Sequence, residues 1–358
     1  MNSLKKRNFG LDLLRALSIW LVLLQHAGIN IPGLKPMKIG TIGVEIFFVI
    51  SGFLIGGILL KSIDEKKGII NTLKNFWIRR WMRTLPLYYT VLLFKYIVID
   101  NSIGWKLIYY IFFLQNNLHH GPSFLGVSWS LVLEEWFYLF CPIYLLFLNH
   151  FLKKRNQIIF FITLFITSIV ILRTRWVLIE NVSFDNVNAY FPYRFDSMFI
   201  GVLLSYLNIN KPLFFSVLKS KKVFIIGLLL FISYLFFYWN LAVNNLINKT
   251  YVPRTIGFFI LPFSIGLTLP YISTLKINFY QNNLKKIIFY YITWTSLLTY
   301  SIYLIHPFIY NYFIDNKKIT NIFLLNFISA IIITYITSYL IFKNFENPIL
   351  KLRDKISS

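Results

Sequence analysis

Arg15 and His26 interrupt an apolar run, GLDLLRALSIWLVLLQHAG at residues 10–28, that is long enough to cross a bilayer as a helix. A rise of 1.5 Å per residue separates them by about 16 Å along the axis. The 100° step leaves them only ~20° apart around it, so both look out on one face. Ionisable groups at membrane depth are costly unless they line a polar interior, which makes them functional candidates by default. A guanidinium at one end of such a face suits an anionic substrate group, and an imidazole at the other suits proton transfer. The plainer readings are a snorkelling Arg15 and a His26 that hydrogen-bonds a neighbouring helix.

Four further runs carry polar groups in apolar surroundings. In VSWSLVLEEWFYLF, residues 127–140, the adjacent carboxylates Glu134 and Glu135 point about 100° apart. Glu134 is expected to accept a hydrogen bond from a histidine and raise its basicity, and Glu135 to pair with an arginine such as Arg194. A simple buried ion pair is the alternative. PYRFDSMFIG, residues 192–201, sets Arg194 and Asp196 at the start of another apolar segment, as site residues or as boundary residues. TYSIYLIHPFI, residues 299–309, places His306 before Pro307, where it either joins the chemistry or satisfies the carbonyl that proline frees. VEIFFVISGFLIGG, residues 44–57, carries Gly52, Gly56 and Gly57 at a spacing that permits close helix approach. Ser51 in that run has no base beside it in sequence and is not read as a nucleophile. No phosphate-loop or dinucleotide fingerprint is present.

The elements that must hold these residues follow from composition. Of 358 residues 57% are hydrophobic and only 14% charged, with a mean hydropathy of +0.64. A soluble domain carries about 25% charged residues, so the chain is read as an all-α polytopic membrane protein. The net charge of +23 lies in short runs between apolar segments rather than along one face. That pattern fits the positive-inside rule and argues against nucleic acid. A single cysteine, Cys141, excludes an internal disulfide and a cysteine metal cluster, and no metal is expected. Lys5, Lys6 and Arg7 before an apolar run have the layout of a signal peptide. The embedded Arg15 and His26 and the many later spans favour a retained first span.

Ten spans are expected, near 10–29, 41–61, 84–99, 127–148, 157–172, 191–209, 222–239, 255–272, 290–312 and 320–342. They form one domain over residues 1–358 with no appended soluble domain, and both termini are cytoplasmic. FWIRRWMRTLPLYY reads as an interfacial helix with Trp77 and Trp81 at headgroup level and Pro86 opening the third span. The run near 105–117 is too short to cross and is taken as re-entrant or interfacial. Lys61 to Arg83, with Lys66, Lys67, Lys74, Arg79 and Arg80, then falls in the cytoplasm, as do Lys153, Lys154 and Arg155. On this topology His26, Glu45, Glu134, Glu135, Arg194, Asp196 and His306 form an outer polar group. Arg15, Arg79, Arg80 and Arg83 form an inner one.

Taken in order, these runs resemble the acyltransferase-3 family of integral membrane acyltransferases. The matching features are Arg15 followed at ten intervening residues by His26, SGFL at 51–54, RRWMRTLP at 79–86, SWSLVLEEWFY at 128–138, YRFDSMFIG at 193–201 and YSIYLIHPF at 300–308. The resemblance implies a ten-span bundle, of the stand-alone polysaccharide O-acetyltransferase type, in the bacterial inner membrane. It would move an acetyl group from cytoplasmic acetyl-CoA to a hydroxyl of a surface or lipid-linked carbohydrate, such as lipopolysaccharide O-antigen. On that basis Arg15, Arg80 and Arg83 are expected to hold the donor's anionic end, His26 to act as general base, and Glu134, Arg194 and His306 to complete the catalytic set. Direct transfer and an acyl-histidine route both remain open. The rival readings are a carbohydrate exporter and an enzyme that acylates a small molecule.

Overall fold

The computed structural model describes residues 7–28, 38–64, 68–117, 124–152, 154–276, 282–315 and 322–356. Lys66, Lys67 and Lys153, read above as cytoplasmic, lie outside the described residues, as do Lys5 and Lys6. The described chain is helical, with α1 at Phe9–His26, α2 at Ile39–Asp64, α3 at Ile69–Phe94, α4 at Leu107–Ile111 and α5 at Trp129–Phe151. It continues with α6 at Arg155–Glu180, α7 at Phe184–Ala189, α8 at Phe195–Asn210, α9 at Pro212–Leu218 and α10 at Lys221–Val243. The last elements are α11 at Gly257–Ile272, α12 at Asn283–Tyr310, α13 at Phe323–Ile341 and α14 at Asn347–Ile356.

Eight of these helical stretches are long and apolar enough to cross a membrane. This is the all-α polytopic class that composition implies, because a helix satisfies its own backbone polar groups where water is absent. Helices also stand at the two remaining predicted segments. They are α8 and α11, each 16 residues long, and both are heavily buried. The run near 105–117 forms only the five-residue helix α4 between single 3-10 turns, too short to cross.

The core is organised on α2, which lies between α1 and α8 and packs extensively on both. Glycine makes that approach possible. A methyl group at Gly52 would collide with the Met198 carbonyl of α8, and one at Gly201 with the Val49 carbonyl of α2. The two backbones therefore meet where neither helix has a side chain, as small-residue packing in membranes requires. α12 closes the other side of α1, and α10 with α11 backs the α2 and α8 pair.

One expectation about the third span is corrected. Pro86 does not open a helix. α3 runs unbroken from Ile69 to Phe94 with Pro86 inside it, so the interfacial stretch and the span are one rod. Proline costs a single ladder bond there, whereas a chain break would expose several backbone groups to lipid. Trp77 also packs against α5. Its indole Nε1 donates to the Tyr138 carbonyl of α5 at 3.0 Å, and its ring stacks on Trp81 with centroids 5.7 Å apart.

Candidate active site

α1 presents Arg15 and His26 to two different chambers. Around Arg15, a cavity is lined by Arg80, Arg83 and Thr84 of α3, Ser51 of α2, Ser130, Glu134 and Tyr138 of α5, and Thr299 and Tyr303 of α12, among others. Arg80 and Arg83 reach it together because a three-residue step on a helix keeps both on one face. None of the guanidinium groups of Arg15, Arg80 and Arg83 forms an ion pair or hydrogen bond among the described residues. Arg80 is flanked instead by the rings of Phe76 and Tyr138, at 5.9 and 5.7 Å. Three cations face a cavity whose one carboxylate among the described lining residues is Glu134, a surplus of positive charge that suits a multiply charged anion.

Around His26 lies a second cavity of about 200 Å³, bordered by Gln25, Lys38, Thr41, Trp129, Asp185 and Asn188. Val44 and Tyr303 belong to the walls of both chambers, so only these two side chains are shared between them. Tyr303 is held in place. Its hydroxyl donates to the Val127 carbonyl at 2.6 Å and lies 2.6 Å from Ser130 Oγ.

The tautomers of the two membrane-depth histidines follow from their partners. His26 Nδ1 lies 2.9 Å from the Val22 carbonyl, and a carbonyl only accepts. Nδ1 therefore carries the proton, and the Nε2 lone pair is free to act as a base. His306 repeats the arrangement, with Nδ1 at 3.0 Å from the Ile302 carbonyl. Its Nε2 is buried with no hydrogen-bond partner among the described residues. The carbonyl that Pro307 frees is that of Tyr303, four residues earlier, whereas the bond formed by His306 runs from Nδ1 to Ile302; the other ring nitrogen remains available. The two imidazoles meet edge to face with centroids 4.9 Å apart.

Other expected roles change. Glu134 accepts from Ser51 Oγ and from the Tyr138 hydroxyl, both at 3.1 Å, and not from a histidine. It sits one turn along α5 from Ser130, on the face that descends into the Arg15 chamber, and so belongs with the inner group. Arg194 pairs with Glu45 rather than with Glu135. Its guanidinium also donates to Asn188 Oδ1 at 3.0 Å and lies 4.0 Å from the Phe258 ring centre. With both Arg194 and Glu45 fully buried and facing each other, Arg194 ties α2 to α8 and α11 and opens on neither chamber. Asp196 pairs with Arg173 at 2.9 Å, again with both partners fully buried, and so is no boundary residue. Arg173 was not singled out in the sequence because it follows the predicted end of the fifth span, which α6 overruns. Glu135 faces a separate groove beside Trp81 and Leu85. Ser51, which sequence reasoning set aside as a nucleophile, and Tyr138 and Tyr303, which it passed over, line the Arg15 chamber. The i, i+4 series Ser130, Glu134, Tyr138 was the signal for Tyr138. Among the described residues no cluster of histidine, cysteine and carboxylate side chains is placed to hold a metal ion.

Three cations around one cavity thus share a helix, α1, with the imidazole of His26 at a second cavity, and sequence comparison gives the class of protein that carries them. The chain belongs to the acyltransferase-3 family, whose model, described as an acyltransferase domain, matches residues 8–343. Over 217 residues it is 35% identical to SACOL0978 of Staphylococcus aureus strain COL, provisionally named an O-acetyltransferase. Over 220 residues it is 31% identical to the O-acetyltransferase OatA of Staphylococcus aureus strain NCTC 8325. Each match takes in 55% of this chain and 34% of the relative, so the chain spans about a third of the length of these curated relatives. No solved structure matches it.

Proposed function

We propose that the protein is a membrane O-acetyltransferase of the bacterial inner membrane. It takes an acetyl group from cytoplasmic acetyl-CoA and places it on a hydroxyl of a cell-surface or lipid-linked carbohydrate, of which lipopolysaccharide O-antigen is one example. The observation that carries this reading is the set of unpaired Arg15, Arg80 and Arg83 on one chamber, joined across Tyr303 and Val44 to the free Nε2 of His26. The ten helices, including the short α8 and α11, would all cross, with both termini and the Arg15 chamber on the cytoplasmic side.

The nucleotide phosphates of the donor bind the three guanidinium groups, where charge-assisted hydrogen bonds are strongest. The pantetheine arm follows the α1 face for the about 16 Å that separates Arg15 from His26. His26 Nε2 then takes the proton of the acceptor hydroxyl as its oxygen attacks the thioester carbonyl. The C–S bond breaks, and the departing thiolate receives the proton from the imidazolium. His306 Nε2, the buried acceptor against which the His26 ring rests, favours the protonated state of His26 during that step. Glu134 and Arg194 act at a distance. Glu134 positions Ser51 and Tyr138 around the donor, and Arg194 fixes the helices that frame the acceptor chamber.

The test is acetyl transfer from labelled acetyl-CoA by the purified full chain in proteoliposomes, with mass spectrometry of the glycan product. Acetylated carbohydrate is expected. Carbohydrate movement across the vesicle without acetylation would favour the exporter.

A further inference from the structure

We infer that the chamber beside His26 is the acceptor site and that it is built for one uncharged sugar ring, an inference that rests on the acyltransferase reading. Its charges cancel. Lys38, at the start of α2, is paired with Asp185 of α7 across the rim. Arg194, behind Asn188, is neutralised by Glu45. Among the described residues the remaining ionisable group on the cavity, apart from the Tyr303 hydroxyl, is His26, whose Nε2 is a neutral acceptor. An acidic sugar would meet Asp185 there and find no unpaired cation among the described residues.

The walls have the chemistry that recognises a neutral carbohydrate. Trp129 supplies a half-buried aromatic face. Its ring is braced edge to face by Phe48 at 6.5 Å, and its backbone carbonyl is held by Asn116 Nδ2 at 2.9 Å. The Trp129 indole N–H makes no hydrogen bond among the described residues. Asn188 and Asp185 add side-chain amide and carboxylate groups to the lining, so that donors and acceptors accompany an apolar wall, the usual composition of a small-ligand site. The volume of about 200 Å³ suits a single ring with a hydroxyl presented to His26, and further rings of a chain would lie beyond the rim. The acceptor is therefore a neutral sugar residue.

The test uses the detergent-solubilised full chain with maltotriose, chitotriose and trigalacturonate as probes, sugar binding being read by saturation-transfer NMR and acetyl-CoA binding separately by radioligand. The wild-type chain is expected to bind at least one neutral trisaccharide and to bind it better than trigalacturonate. Asp185→Asn, which leaves Lys38 unpaired, should shift that preference by about tenfold toward the acidic sugar. Trp129→Leu should weaken neutral sugar binding by about tenfold, and both variants should keep the wild-type Kd for acetyl-CoA. Preference of the wild type for trigalacturonate, binding of none of the three sugars, or an unchanged preference in Asp185→Asn overturns the assignment. If acetyl-CoA still binds in those cases, only the acceptor site falls. A wild-type chain that binds no acetyl-CoA overturns the acyltransferase reading itself.

Discussion

The imidazole rings of His26 and His306, contributed by the first helix and by α12, lie edge to face with centroids 4.9 Å apart, each with Nδ1 committed to a carbonyl of its own helix. This arrangement leaves two Nε2 atoms, one on each ring, without a hydrogen bond among the described residues. Replacing His26 by alanine removes one of them and a single local hydrogen bond. His26→Ala is therefore expected to lose about 10²- to 10⁴-fold in transfer rate, the range of general-base catalysis. It should retain acetyl-CoA affinity and a monodisperse elution profile. Wild-type transfer by this variant would remove His26 from the mechanism.

His306→Gln keeps an acceptor at that depth, whereas His306→Leu does not. If His306 acts through His26, the glutamine variant should retain much more kcat than the leucine variant, with equal KM for acetyl-CoA. Equal loss in the two would assign His306 to packing.

Arg80→Ala and Arg83→Ala each remove a cation that has no ion pair or hydrogen bond among the described residues. Hydrogen bonds to charged groups contribute about 1.5–3 kcal/mol, so acetyl-CoA binding should weaken by about ten- to a hundredfold in each. Turnover at saturating donor should change little. Unchanged donor affinity in both variants would contradict the placement of the nucleotide.

Arg194 gives the opposite pattern. Arg194→Met leaves Glu45 buried without its partner, a change that costs about 3–5 kcal/mol. It should lower the thermal unfolding midpoint and the yield of folded protein. The double variant Glu45→Gln with Arg194→Met should recover a good part of that loss. A single variant that is stable yet inactive would return Arg194 to the catalytic set.

How much of this was legible in the sequence depends on the kind of information each residue carries. Helices stand at each of the ten apolar segments because burial in lipid needs only composition and length, both local properties. The co-facing of Arg15 and His26 was equally local, since a single helix fixes it. What a neighbour decides was not legible. Glu134 and Glu135 differ by one residue, yet Glu134 turns to Ser51 and Tyr138 while Glu135 turns to the groove beside Trp81. Only the positions of α2 and α3 settle which goes where. Arg194 was matched to the wrong carboxylate for the same reason, because Glu45 comes within reach only through the glycine-mediated approach of α2 to α8. Pro86 was misread because its local preference for a helix start yields, in an apolar surrounding, to the greater cost of interrupting the backbone ladder.

Gly52→Val tests that approach directly. A branched side chain at residue 52 would collide with the Met198 carbonyl, and the helices are expected to separate, with loss of folded protein on size-exclusion chromatography. A normally folded, active Gly52→Val protein would show that α2 and α8 need not touch.

The central claim is that one face of α1 carries the donor from the three arginines to His26. Cryo-electron microscopy of the protein with a non-hydrolysable acetyl-CoA analogue tests it most directly. The account predicts nucleotide density against Arg15, Arg80 and Arg83, an extended arm passing Tyr303, and the acetyl carbon within van der Waals reach of His26 Nε2. Density for the nucleotide in the His26 chamber, or an arm that ends on the Arg15 side of an unmoved Tyr303, would contradict it.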